Sequence, residues 1–514
     1  AGRLYMESNW RLWDRFSRAD MVRMSISHEV DAGKWGRYRG GVFGDIEKQK
    51  DNSYPKFEVF EGRPFSNNPE QNSVMRRTYV TEGAWGSYYV EAPTRTGFLN
   101  NVTDPISGRT LSSKWLVYNA DSVDDPEDRW NAMGMLQGHW FNGRIVAGAG
   151  YRKDRHEVED YAQVRDPVTN EWRSGAAFTR PISQPQTRTF SAVWHALKNV
   201  SFKYNQATNS STINSSVRVF PSTPSNTISG PASKGTGKDY GVTVSLLQGK
   251  LYASLVRYTT ESIGELFSGS GTNNTQYDRI LTALLTNGLI TSAEEASRRF
   301  NANATSRDKS SDGYELSLTA NPGNWRLSVN SSYTDGVFSN YIPEVVAWWA
   351  DQKAYYLKFP QGTPTAVGTS IADEIAIEDA NIAEIRSAEG IGLVGNAKYK
   401  ASFFARYSFK QGFLKGAFVG GGYRYTGRML VGRTIDASQR LQFAPPVGEA
   451  ALLIGFERRV TDKARLSVQL NVSNLLDETD PRILRYANTG DSYEIKRIAV
   501  RDPRSWTLST RLSF

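Results

Sequence analysis

The chain carries four histidines, His28, His139, His156 and His195, and no cysteine. No two histidines lie three or four residues apart, so no zinc signature is present. There is no G-x-S-x-G elbow and no phosphate-binding loop. A hydrolase would need a Ser or Asp partnered with a histidine by the fold, and His156, inside Asp154-Arg155-His156-Glu157, is the one tempting candidate. The acidic stretch Asp121-Ser122-Val123-Asp124-Asp125-Pro126-Glu127-Asp128 has the oxygens a hard cation such as Ca²⁺ takes, yet it lacks the ordering glycine and ligand spacing of an EF-hand. It is expected to be a solvated acidic loop. The expectation is therefore no enzyme, no metal site and no cofactor. What remains is binding chemistry. Arg152, Lys153 and Arg155 leave a strand pattern for a long unpatterned stretch, Arg424 falls on a polar face, and Tyr425 and Arg428 follow it. Trp348 and Trp349 form an aromatic pair far from any strand. Arginines pair with carboxylate- or hydroxamate-like anions, and indoles stack on flat ligands. Arg152, Arg155, Trp348, Trp349, Arg424, Tyr425 and Arg428 are accordingly the candidate small-molecule contacts. Each also has an ordinary role open to it, in ion pairs along a wall or as an interfacial anchor.

The elements that must position these residues are strands. Successive side chains of an extended strand point to opposite faces. Near the carboxyl end Trp506, Leu508, Thr510, Leu512 and Phe514 share one face, and Ser505, Thr507, Ser509, Arg511 and Ser513 the other. Ten residues is about the length a tilted strand needs to cross a bilayer's hydrocarbon core. The same alternation sets Val22, Met24, Ile26 and Val30 against Arg23, Ser25, Ser27 and Glu29. It recurs at Tyr240 to Leu246, Tyr314 to Leu318, Trp325 to Tyr333, Ala397 to Phe409 and Leu466 to Val472. About sixteen strands satisfy the period-two criterion. Connections alternate between tight turns, at 198–199, 248–249, 321–324, 410–412 and 461–463, and long unpatterned stretches near 88–128, 157–187, 207–238, 263–311 and 335–395. Loops of that length are rare in compact soluble domains. Short turns on one side and long loops on the other, with aromatic residues near strand ends, predict an all-β, transmembrane antiparallel β-barrel occupying residues 1–514. Helical spacing inside two of the loops predicts helices over 277–300 and 371–388.

Composition agrees. The chain has 514 residues, 39% of them hydrophobic, a mean hydropathy of −0.50 and no run of eighteen apolar residues, which excludes helical membrane spans and leaves a barrel open. The formal net charge of +9 attracts anions such as lipopolysaccharide phosphates or anionic ligands. Basic residues are scattered with no dense block, so no nucleic-acid partner is expected.

The last 120 residues resemble the carboxyl end of the TonB-dependent outer-membrane receptors, siderophore-receptor-like members in particular. Residues 465–477, Arg-Leu-Ser-Val-Gln-Leu-Asn-Val-Ser-Asn-Leu-Leu-Asp, are similar to that family's penultimate strand, with Leu476 in place of the usual Phe. The hairpin from Tyr407 to Gly416, continuing through Gly420-Gly421-Gly422-Tyr423-Arg424-Tyr425, resembles its Gly-rich hairpin, and Pro503 through Phe514 its final strand. Residues 237–241 and 249–251 are similar to a mid-barrel hairpin of siderophore receptors. The resemblance implies a 22-stranded barrel with an amino-terminal plug and uptake of a scarce solute, a ferric siderophore-like ligand favoured, driven by TonB. It also implies location in the outer membrane amid lipid and lipopolysaccharide, the carboxyl terminus on the periplasmic side, and recognition of the end strand (Trp506, Leu508, Leu512, Phe514) by the barrel-assembly machinery. No plug and no TonB box are visible in this sequence, so TonB would act through a plug absent from this chain, which reads as the barrel portion of a longer receptor. Two other classes remain open at this point: a passive diffusion porin of sixteen or so strands, and a surface adhesin or other structural β protein.

Overall fold

The computed structural model describes all residues except 1–4, 61–72, 80–101, 104–107, 118–122, 167–171, 181, 212–218, 223–231, 268–274, 301, 303, 435–439, 462–463, 487–493 and 514. Phe514 and the start of the acidic stretch, Asp121 and Ser122, thus lie outside the described residues.

Seventeen strands join one antiparallel barrel sheet. Two are short, Ser113–Val117 and Ile182–Ser183. The long staves are β1 (Arg11–Asp31), β2 (Arg37–Phe60), β3 (Val123–Trp140), β4 (Ile145–Val158) and β5 (Gln186–Leu197). Next come β6 (Val200–Ser210), β7 (Lys234–Leu246), β8 (Leu251–Phe267), β9 (Thr305–Ala320) and β10 (Trp325–Ser339). β11 (Tyr399–Ser408), β12 (Ala417–Thr426), β13 (Val447–Arg459), β14 (Arg465–Ser473) and β15 (Ser505–Ser513) complete the series. Each stave pairs with the next in chain order. Among the described residues no register joins β1 to β15. β1 is exposed on both faces from Arg15 to Asp31, and β15 is exposed throughout.

Alternation along each strand separates the two faces, and register keeps neighbouring strands in phase. Across the outer face Tyr204, Tyr240, Arg257, Tyr314, Tyr333 and Tyr399 stand side by side on six successive staves. Ring centroids are 5.1 Å apart for Tyr204 and Tyr240 and 5.0 Å for Tyr333 and Tyr399. A second aromatic set lies toward the short turns, where Trp325 meets Tyr407 at 5.0 Å and Trp194 stacks on Phe202 at 5.6 Å. Trp325 and Tyr333 bracket Leu327, Val329 and Ser331 on β10, a separation of about 26 Å along the strand at ~3.3 Å per residue. Leu255, Phe403 and Ile454 fill this band and are exposed. Two aromatic belts around an exposed apolar band fit a hydrocarbon slab bounded by two interfaces.

Tight turns connect the staves at one end, using left-handed backbone at Asn142-Gly143 and Gln248-Gly249. Every long connection leaves from the other end. Strands run further into the long stretches than alternation suggests: β3 already begins at Val123, so the described part of the acidic segment is ladder and not loop, and 157–187 holds the hairpin Asp160–Arg165 with Trp172–Thr179. Backbone pairing continues where both faces are polar, because a ladder standing in water needs no apolar face. The glycine run at Gly420 to Gly422 permits close backbone approach: a Cβ on Gly420 would lie 2.7 Å from the Ala405 carbonyl oxygen. From the same stave the Phe418 ring covers Gly455 of β13, and the Arg406 guanidinium stacks on Phe418 at 3.7 Å.

The long connections fold into a cap with its own core. Between β8 and β9 are α1 (Thr275–Thr286) and α2 (Ser292–Arg298); between β10 and β11 are α3 (Pro343–Tyr356) and α4 (Ile371–Arg386). The single helix expected over 277–300 is two, broken at Gly288, whose φ of +69° suits glycine. α3 was not anticipated, although Val345, Trp348, Trp349, Gln352 and Tyr356 have helical spacing and Pro343 sits at its first turn. Capping boxes at Thr291 and Ser370 start α2 and α4. Phe220 from the β6–β7 connection, Tyr277, Ile280, Leu281, Leu284, Trp348, Trp349, Tyr356, Ile371 and Ile375 form one buried cluster. Leu284→Ala would leave a void there and cost about 2–5 kcal/mol. Because the cap core is built mainly from the connections and meets the sheet at the ends of β8 and β9, through Phe267 and through Glu344 with Thr305 and Ser306, hydrogen exchange should accelerate most in α1, α3 and α4 and little in the staves; equal acceleration in both would contradict a separately cooperative cap.

Candidate functional site

The inner face of the sheet is polar, and two cavities lie along it among the described residues. The first, about 710 Å³, is bordered by β1 to β5 and by residues including Arg23, Asp45, Arg129, Arg152, Asp154 and His156. Register places Asp45 beside Arg23 and Asn131, and Asn131 in turn beside Asp154. Arg152 donates to Asp154 from Nε at 2.8 Å and Nη2 at 2.5 Å. Arg129 donates to Glu127, which also contacts His156 Nε2 at 2.9 Å. Asn131 donates to Asp45, whose other oxygen lies 3.7 Å from Arg23 Nη2. Arg155 occupies the alternate position on β4, in register with Trp130, borders the same cavity and pairs with Glu157 at 2.9 Å. The arginines lining this wall, Arg23, Arg129, Arg152 and Arg155, are therefore each paired with a carboxylate, and an anion there must displace one. His156 is held by a carboxylate, and among the described residues no nucleophile is bonded to it. His195 Nδ1 does meet Ser201 Oγ at 2.8 Å, but the pair is exposed and no carboxylate orients the ring among the described residues. Neither arrangement is a catalytic triad. The described residues contain no cluster of three or more metal-ligating side chains.

The second cavity, about 470 Å³, lies on the inner face of β9 to β12 and is lined by Glu315, Asn330, Lys400, Ser402, Arg424 and Thr426 among others. Lys400 is in register with Ser332 and Thr426, and Arg424 with Ser402 and Glu449. Among the described residues neither Lys400 nor Arg424 has a carboxylate within ion-pair distance, in contrast to Arg152. Two uncommitted cations beside hydroxyl and amide groups can hold an anion through charge-assisted hydrogen bonds.

The remaining candidate residues have other places. Tyr425 also borders the second cavity, although it shares the outer face with Ala401, opposite to Arg424, because adjacent strand residues cannot point the same way. Arg428 lies over the Phe443 ring at 4.9 Å. Trp348 and Trp349 belong to the cap core, where Trp349 Nε1 donates to Asp379 at 2.9 Å, and Trp348 also borders a cap cavity. Trp506, Leu508 and Leu512 share the outer face of β15. Sequence reasoning missed Lys400, Glu315 and Asn330, since only strand register brings them to Arg424.

Titration in the cap follows burial. Burial pushes the Glu378 carboxyl above its ordinary value, against the hydrogen bonds from Tyr277 at 2.5 Å and Asn381 at 3.3 Å. Burial likewise raises the Tyr277 phenol, and Glu378 beside it adds to the shift. Burial raises Asp278 despite Arg299, with which it pairs at 2.8 Å. Burial also acts to raise Glu344, but hydrogen bonds from Ser306 and Thr305 outweigh it and hold that carboxyl below its ordinary value.

No family model matches the sequence, and no curated protein matches it. Solved structures do resemble it. The ferripyoverdine receptor of the outer membrane of Pseudomonas aeruginosa superposes with a TM-score of 0.53 at 12% identity, covering 98% of this chain and 49% of that one. BauA, the ferric preacinetobactin receptor from Acinetobacter baumannii, gives 0.56 at 12% identity, covering 99% and 56%. The siderophore receptor PiuA from Acinetobacter baumannii gives 0.56 at 14% identity, covering 98% and 56%. At these identities the likeness is one of fold, and the chain spans about half the length of those structures.

Two outcomes are expected from the site geometry. Arg424→Gln removes an uncommitted cation, so citrate binding measured by calorimetry on the full chain in detergent should weaken about tenfold, taking ~1.4 kcal/mol for one charge-assisted hydrogen bond. Arg152→Gln should change it little; the reverse order would place the anion site on the other wall. Glu378 has a raised folded-state pKa, so its stabilisation is complete below the ordinary glutamate value and is lost as pH climbs through the raised one. Glu378→Gln keeps an oxygen to accept from Tyr277 and removes the buried charge. Cap unfolding, followed by tryptophan fluorescence, should lose that part of its pH dependence, and an unchanged profile would show that Glu378 does not cause it.

Proposed function

We propose that this chain is the barrel portion of an outer-membrane receptor that takes up a scarce anionic solute, a ferric siderophore-like ligand being the best fit, with energy coupled through TonB. The observation that carries the proposal is the pairing of a membrane-type barrel, similar over nearly its whole length to siderophore receptors, with a polar inner wall bearing the uncommitted Lys400 and Arg424. A barrel exposing an apolar band must keep its polar path inside. The long connections, gathered into a cap at one end, would face the medium, and the short turns and the end of β15 the periplasm. Lipid and lipopolysaccharide would surround the outer aromatic belts.

Strand parity supports a larger whole. Fifteen staves antiparallel in sequence leave β1 and β15 running in the same direction, so a direct seam between them would be parallel. An odd number of further strands between them would keep the sheet antiparallel throughout, and seven would make the 22 strands implied by the family resemblance. Those strands, a plug to reach TonB, and reading of the end strand by the barrel-assembly machinery remain part of the proposal.

Uptake tests it directly. Cells expressing the full-length gene should accumulate radiolabelled iron from ferric siderophores under iron limitation, and deletion of TonB should abolish this accumulation. Iron entry that persists without TonB, together with free diffusion of unrelated small solutes, would replace the receptor with a passive porin.

A further inference from the structure

The cap contains a cavity of about 600 Å³ between α2, α3 and the Phe220-Pro221 corner, lined by Phe220, Arg298, Glu344, Trp348, Asp351 and Gln352 among others. Its floor is aromatic. Phe220 and Trp348 are buried with ring centroids 5.1 Å apart, and Tyr277 meets Trp348 edge-on at 4.5 Å and holds it from behind. Gln352, only 6% exposed, stands in the wall. Its amide oxygen accepts from Arg298 Nη1 at 3.2 Å, and its amide nitrogen donates to Asp351 Oδ2 at 3.2 Å.

Neither of those charged residues has an oppositely charged partner within ion-pair distance among the described residues. Arg298 lies on the face of Tyr355, its guanidinium carbon 3.4 Å from the ring centroid. The other carboxylate in the wall is already committed: Glu344 accepts from Thr305 Oγ1 at 2.8 Å, from the Ser306 backbone N–H at 2.9 Å and from Ser306 Oγ. The cavity thus presents one cation and one anion, bridged by a buried amide, above a flat apolar floor. A ligand with only a negative charge gains Arg298 but is repelled by Asp351, and a cation meets the converse. Only a ligand carrying both charges satisfies the wall.

We propose that this cavity binds a small zwitterion with a flat apolar body. Its carboxylate would meet the Arg298 guanidinium, its ammonium would meet Asp351, and its ring would lie on Trp348 and Phe220. An amino-acid or peptide-terminal headgroup has this chemistry. The proposal rests on the receptor reading only in taking the cap to face the medium, and binding is measured without transport, so the two can fail separately.

The test is calorimetry on the full chain in detergent with three probes: L-phenylalanine, 3-phenylpropionate, which lacks the ammonium, and phenethylamine, which lacks the carboxylate. L-Phenylalanine should bind at least tenfold more tightly than either analogue and should change the tryptophan emission. Arg298→Gln should erase its advantage over phenethylamine, and Asp351→Asn its advantage over 3-phenylpropionate. A merely structural role for either residue would weaken all three probes alike. The comparison of probes on the unmodified chain needs no variant to fold. Equal binding of the three, or no heat from any, overturns the proposal.

Discussion

The constraint behind this architecture is that a backbone amide in hydrocarbon must find its hydrogen-bond partner within the protein. An antiparallel ladder meets it stave by stave, and once the ladder exists each residue has only two directions to face. Apolar side chains then fall outward and polar ones inward over β6 to β14, and the two aromatic belts settle where the apolar band ends. β1 and β15 have a ladder on one side only among the described residues and are exposed on both faces.

Inside the sheet, electrostatics distinguishes two walls that look alike in composition. In the first cavity the lining arginines are matched by carboxylates two positions away or on the neighbouring strand, as Arg152 is by Asp154, Arg129 by Glu127 and Arg23 by Asp45. Such pairs hold a polar surface in place and add little attraction for an anion, since the field of each cation is largely cancelled. On β11 and β12, Lys400 and Arg424 have no such partner among the described residues, so their field extends into the lumen. Placement of carboxylates, not the number of arginines, decides where an anion can dwell.

The cap follows another rule. Its backbone stands in water, so helices replace the ladder, and stability comes from an aromatic and aliphatic core assembled from three connections. Burying Tyr277, Glu378 and Glu374 in that core carries a desolvation cost, offset by the Tyr277–Glu378 bond and by Arg279 beside Glu374 at 3.3 Å. The capping boxes set where α2 and α4 begin and so which side of each helix meets the core.

Period-two alternation, tight-turn residues and the lengths between them were legible as a barrel, because a strand's two faces and a turn's backbone are local properties. Val22, Met24 and Ile26 lie on the outer face, and Arg424 on the inner face, as alternation alone requires. The same rule separates Tyr425 from Arg424. α4 was readable from its spacing, and α3 would have been had Val345, Trp348, Trp349, Gln352 and Tyr356 been taken together. What no local pattern contains is register. That Lys400 lies next to Arg424, that Arg152 is neutralised by Asp154, and that Trp348 and Trp349 enter a shared core with Phe220 all depend on residues distant in the chain. The sequence by itself determined which residues of each strand share an apolar face; tertiary structure decided which charges meet each other, because cross-strand neighbours are set by register, which no single strand's alternation contains.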